Sequence, residues 1–136
     1  MQTQRNLLLT LAAASLFVAA IAGAVGSHAL SFADERALRS FSTAVEFQFF
    51  HGLGVIGVTL VGLDGRGGSL RATTAWLMLA GALLFCGSIY AKAFGAPAGI
   101  TAVAPYGGVA FMLGWVLFAI SVWLRDGATA TTPDGS

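Results

Sequence analysis

Hydrophobic positions in this chain fall into four long blocks, at about residues 7–30, 44–63, 72–94 and 104–124, and the segments between them carry most of the charge. Each block is close to the ~20 apolar residues that a helix needs to cross ~30 Å of hydrocarbon. Runs of this length cannot be loops or open strands in lipid, where each unsatisfied backbone amide costs several kcal/mol. The pattern therefore predicts an all-α membrane protein with four transmembrane helices. Short connections make consecutive helices antiparallel neighbours in one bundle. On this reading residues 1–125 form a single four-helix domain. The segment 126–136 has Gly, Thr and Pro but no apolar periodicity, and is expected to be a disordered tail.

The breaks between blocks carry their own signals. Asp64-Gly65-Arg66-Gly67-Gly68 is a turn-rich polar link, and Pro105 stands where the first turn of helix 4 needs no amide donor. From Ser31 to Thr43 the apolar Phe32, Leu38 and Phe41 alternate with Asp34, Glu35, Arg36 and Arg39. That mixture predicts a short interfacial helix leading into helix 2. Arg5, the leucine run and Ala22-Gly23-Ala24 also fit a cleavable secretory signal peptide. Three further spans and an apolar stretch longer than a signal core favour a retained anchor.

Composition agrees with a membrane protein: 57% of the 136 residues are hydrophobic and 10% charged. A net charge of +1 provides no basic field for a nucleic acid, so none is expected as a partner. The lipid bilayer is the partner the composition does imply, with a homo-oligomer or larger membrane complex beside it. Cys86 is the only cysteine, which excludes an intrachain disulfide and a cysteine-built zinc site. Placing the N-terminus inside leaves Arg5, Arg66, Arg71 and Arg125 on the inner side and Arg36, Arg39 and Lys92 on the outer. The positive-inside rule then puts both termini in the cytoplasm.

Small residues recur along the spans: Ala19 with Gly23 and Ala22 with Gly26 on helix 1, then Gly54, Gly57, Gly81, Gly87, Gly107, Gly108 and Gly114. In lipid such positions let helix backbones approach, which is where association energy arises when the solvent is itself apolar. Trp76, Tyr106 and Trp123 lie near span ends, where amphipathic rings prefer the headgroup region, and Trp115 is expected to fill the bundle interior.

Polar groups at membrane depth are costly and by default mark sites. Here they are His28, Glu46, Gln48, His51 and Lys92. Lys92 is near enough to a helix end to snorkel to water. Gln48 and His51, three residues apart, share one face of helix 2 and can support each other or a neighbouring helix. Glu46 is about 140° around the helix from His51, which argues against a two-histidine, one-carboxylate iron site with His28. Depth argues the same way: His28 lies about 32 Å along helix 1 from Leu7, near the far interface, whereas His51 would be about 12 Å below that surface. His28 is expected to close helix 1 there and to bond a neighbouring helix or loop.

Four stretches, "GAVGSHAL" (23–30), "STAVEFQFFHGL" (42–53), "LLFCGSIY" (83–90) and "PYGGVAFMLGW" (105–115), resemble the small membrane family known as domain of unknown function 423. The likeness covers all four spans in order. It is carried on helix 1 by Gly23, Gly26 and His28, and on helix 2 by Thr43, Ala44, Val45, Gln48 and His51. Helix 3 contributes Gly87, Ser88 and Tyr90, and helix 4 Pro105, Gly107, Gly108, Gly114 and Trp115. The resemblance implies a four-helix integral protein of the bacterial inner membrane, with relatives in animal mitochondria and no assigned activity. The chain departs from the family pattern at Val25, where phenylalanine is usual, at Phe47, commonly tyrosine, and at Cys86, often serine. Losing a hydroxyl at Phe47 argues against chemistry that depends on it.

Three functional classes remain. First is a non-enzymatic structural or accessory membrane component whose polar pairs join helices or dock a larger complex. Second is a transporter or proton-conducting element with a stepped Gln48, His51 and His28 path. Third is a redox subunit with a histidine-bound haem or metal. The sequence offers the third little, having no activated nucleophile, no phosphate-binding glycine loop and no paired carboxylates. No cofactor is therefore assigned.

Overall fold

The computed structural model describes residues 2–126, and every regular element among them is a helix. The order is α1 (Gln2–His28), α2 (Glu35–Val61), α3 (Gly68–Gly81), a π-helical turn (Ala82–Cys86), α4 (Gly87–Ala93), a 3-10 helix (Ala98–Val103) and α5 (Ala104–Asp126). Because α3, the π turn and α4 run on without a break, four helices are long and apolar enough to cross a membrane. Asp126 closes α5, and the rest of the expected tail lies outside the described residues.

α2 starts well before its apolar block. The Asp34 carboxylate accepts a 2.7 Å hydrogen bond from the Ala37 amide, satisfying a donor that the first turn would otherwise leave orphaned. No glycine or proline follows until Gly52, so nothing stops the helix. The separate interfacial helix expected over 31–43 is therefore not formed: residues 31–34 are non-helical, and from Glu35 the segment is the first turns of α2 itself. At the other end of α2, Gly62, Gly65 and Gly67 have φ of 108°, 68° and 77°, left-handed values that only glycine takes cheaply. They turn the chain into α3.

α1 packs on α2, α2 on α3, and α5 on α3 and the π turn. Gly26 lies against Phe41, Gly23 against Val45 and Gly52 against Leu16, so residue numbers fall on α1 as they rise on α2. The Gly81–Gly107, Thr74–Gly114 and Arg71–Ser121 contacts run the same way between α3 and α5. One buried cluster holds Leu8, Ala12, Val55, Ala75 and Met78, and a second holds Ala44, Cys86 and Phe111. Large apolar side chains such as Phe17, Phe50, Leu83 and Met112 point outward instead, as helices solvated by lipid allow.

The small residues divide into two groups. A Cβ on Gly107 would stand 2.5 Å from the Phe85 amide nitrogen and 2.8 Å from the Gly81 carbonyl oxygen, so α5 can reach α3 and the π turn only because Gly107 has no side chain. A Cβ on Gly26 would meet the Phe41 ring at 2.6 Å, one on Gly114 would meet Met78 at 3.3 Å, and one on Gly23 would make an ordinary 3.6 Å contact with Val45. Gly87 and Gly108 differ from the packing role expected of them. A Cβ on Gly87 would touch only Leu83 of its own chain segment, at 3.9 Å, and one on Gly108 nothing within 4 Å. Trp115 departs from expectation too: it is 44% exposed and covers the bundle from its flank rather than filling it. Pro105 is the second residue of α5, where its missing amide hydrogen is not needed.

Candidate functional site

Gln48 is the polar centre of the bundle. Its face of α2 is turned inward, and the side chain is only 6% exposed. Nε2 donates to the Ser15 carbonyl oxygen at 2.9 Å and to the Ser15 Oγ at 3.2 Å, while Oε1 accepts from the Tyr90 hydroxyl at 2.8 Å. One amide thus joins α1, α2 and α4. Tyr90 can reach it because the π turn sets the rotation of α4. Within that turn the Gly87 amide bonds the Ala82 carbonyl, and Ser88 Oγ donates to the Phe85 carbonyl at 3.0 Å.

His51 lies one turn further along the same face and is also buried. It does not bond Gln48. Nδ1 is 2.7 Å from the Phe47 carbonyl oxygen, which can only accept, so Nδ1 carries the proton and a neutral ring leaves Nε2 as an acceptor. The imidazole stacks on Phe111 with ring centroids 3.5 Å apart and an interplanar angle of 16°. Phe47 and Trp115 tilt against it from 5.8 and 6.1 Å, and Phe85 in turn stacks on Phe47 at 5.2 Å. His51 is thus the polar member of an aromatic cluster that ties α2, the π turn and α5.

The other polar positions stand apart. His28 is the last residue of α1 and is exposed, and it makes no hydrogen bond or ring contact among the described residues. The expected bond to a neighbouring helix or loop is therefore not formed, because α1 ends before anything can pack beyond it. Glu46 points outward, away from Gln48 and His51. Among the described residues no three His, Cys, Asp or Glu side chains are grouped closely enough to hold a metal ion.

Arg71 was not expected to matter, and it is the largest fully buried side chain in the bundle. Its guanidinium donates from Nε to the Gly62 carbonyl, from Nη2 to the carbonyls of Asp64 (2.9 Å) and Arg66 (3.3 Å), and from Nη1 to the Ser121 carbonyl at 3.3 Å. It thereby joins the end of α2, the glycine loop and the last turns of α5, where carbonyls lack helical partners and the helix dipole favours a cation. In sequence it looks like one more loop charge. Its burial depends on α5 returning to the same end of the bundle, which no local pattern records.

A four-helix bundle held by one inward glutamine, one stacked histidine and one buried arginine defines a small polytopic membrane protein. Comparison with known proteins agrees. The family described as "Protein of unknown function (DUF423)" matches residues 22–108, and the chain belongs to it. The chain is 38% identical over 116 residues to a UPF0382 membrane protein of Haemophilus influenzae, covering 85% of this chain and 92% of that one. It is 32% identical over 100 residues to the UPF0382 membrane protein YwdK of Bacillus subtilis, covering 73% and 81% of the two chains. Similarity to the UPF0382 inner membrane protein YgdD of Escherichia coli is also 32%, over 83% of this chain and 86% of that one. No solved structure matches the chain.

Proposed function

We propose that this protein is a non-enzymatic structural or accessory component of the bacterial inner membrane, acting through its lipid-facing helix surfaces in a homo-oligomer or a larger membrane complex. The observation that carries this reading is the use made of Gln48: three hydrogen bonds, all to side chains or backbone of neighbouring helices. A polar group committed in this way holds helices together rather than handling a solute. A relay through Gln48, His51 and His28 would have to break those bonds, and His28 stands outside the cluster. Both termini face the cytoplasm in this reading, supported by the inward bias of Arg5, Arg66, Arg71 and Arg125.

One observation favours a second reading. The Nδ1–H of His51 is held by a backbone carbonyl, the arrangement that orients metal-binding histidines, and Nε2 is the free acceptor. Phe111 lies flat over the ring.

Crosslinking at native expression level, followed by purification in gentle detergent, mass spectrometry and an absorption scan, tests both. A stoichiometric partner or a defined homo-oligomer is the expected result. A colourless monomer without partners overturns the accessory role, and a near-stoichiometric Soret band, abolished in His51→Ala, replaces it with a haem protein.

A further inference from the structure

At the end of the bundle where α1 finishes, the non-helical link 31–34, the first turns of α2, the end of α4 and the 3-10 helix enclose a cleft of about 840 Å³. That is within the ~300–1,000 Å³ range of small-molecule sites. Arg36, Arg39 and Lys92, which are all the Lys and Arg side chains at this end of the bundle, line it. They stand at its rim, while Phe41, Phe85 and Ile89 are among its apolar walls. Phe85 is seven residues from Lys92, about 10 Å along the helix, so the apolar part runs from the charged rim down into the hydrocarbon layer.

The acids at this end do not neutralise the rim. The Asp34 carboxylate caps α2 through the Ala37 amide. Glu35 pairs with Arg39 at 2.8 Å, but the two side chains are 83% and 76% exposed, and a pair so open to water is weak. That pair is the one salt bridge among the described residues, so Arg36 and Lys92 have no carboxylate partner there.

We infer that this cleft binds one anionic glycerophospholipid, its phosphate held by Arg36, Arg39 and Lys92 and an acyl chain laid along Phe85 and Ile89. The charge order decides the ligand: cations at the membrane surface above an apolar channel match an amphiphile with a negative head, and guanidinium forks match phosphate oxygens. The site does not depend on the accessory role proposed above.

The test is native mass spectrometry of the full-length protein in detergent, titrated with phosphatidylglycerol, with phosphatidylcholine and with inorganic phosphate. The wild type is expected to retain phosphatidylglycerol in preference to phosphatidylcholine. Arg36→Gln, Arg39→Gln and Lys92→Gln should each weaken it about fivefold, and together roughly a hundredfold. Arg5→Gln with Arg66→Gln, removing exposed cations at the opposite end, should leave binding unchanged. Circular dichroism and gel filtration of each variant separate loss of the site from loss of the fold, and Arg36→Lys with Arg39→Lys should restore most of the binding. Equal binding by the triple variant, equal loss in the Arg5/Arg66 control, or no preference for the anionic lipid overturns the assignment. Retention of inorganic phosphate without lipid overturns the lipid itself.

Discussion

Replacing Gln48 with leucine would keep the volume of the side chain and remove its bonds to Ser15 and Tyr90. Hydrogen bonds between membrane helices average about 0.6 kcal/mol and reach about 1.7, so the hub is worth about 1–2 kcal/mol. Gln48→Leu should therefore lower the thermal unfolding midpoint in detergent, and Tyr90→Phe should lower it less. In a double-mutant cycle the two losses should fail to add, because they remove one shared bond. Additive losses would show that the contact contributes nothing. At this scale the sequence was informative about which residues turn inward, since Gln48 and His51 at a three-residue spacing share a face. It was silent about partners. Ser15 is an ordinary small residue on an apolar helix, and Tyr90 meets Gln48 only through the rotation of α4. His28 misled for a related reason: a histidine at the end of a span has the same sequence signature whether or not something packs beyond it.

Among the elements, the contact between α5 and the π turn is the tightest. Gly107→Val would put atoms where the Phe85 amide and the Gly81 carbonyl already stand. Overpacking of this kind costs about 1–3 kcal/mol or separates the helices outright. Gly108→Ala, one residue on and facing open space, should leave the unfolding midpoint unchanged. Comparing the two variants by thermal unfolding distinguishes a specific close approach from a general intolerance of larger residues on α5. The spans themselves were readable, because apolar length alone specifies a membrane helix. The two glycines were not distinguishable: adjacent positions on one helix point about 100° apart, and only the placement of α3 decides which one faces it.

For the whole molecule, Arg71 fastens one end of the bundle. Arg71→Met removes donors from the carbonyls of Gly62, Asp64 and Ser121. Hydrogen bonds from charged groups are worth about 1.5–3 kcal/mol each, so the loss should be about 3 kcal/mol or more. The glycine loop at 62–67 should then become a site of rapid proteolysis in detergent-solubilised protein. Arg71→Lys keeps the charge but not the fork that reaches several carbonyls at once, and should rescue less than half of the stability. Wild-type protease resistance in Arg71→Met would remove the arginine from this role.

The wide turn at Ala82–Cys86 has a consequence for how this chain tolerates change in length. A π turn, closed by the Gly87 to Ala82 bond, holds one residue more than an α turn of the same span. Deleting a single residue there, for instance Leu84, would let α3 and α4 become one regular helix with no gap to close. The helix would survive, and everything after it would be turned by about 100°, carrying the Tyr90 hydroxyl away from Gln48 and Lys92 away from the lipid cleft. Insertions and deletions usually damage membrane helices by shortening or breaking them. Here the helix would gain regularity while its two ends fell out of step, and a more ideal helix would make a less functional protein.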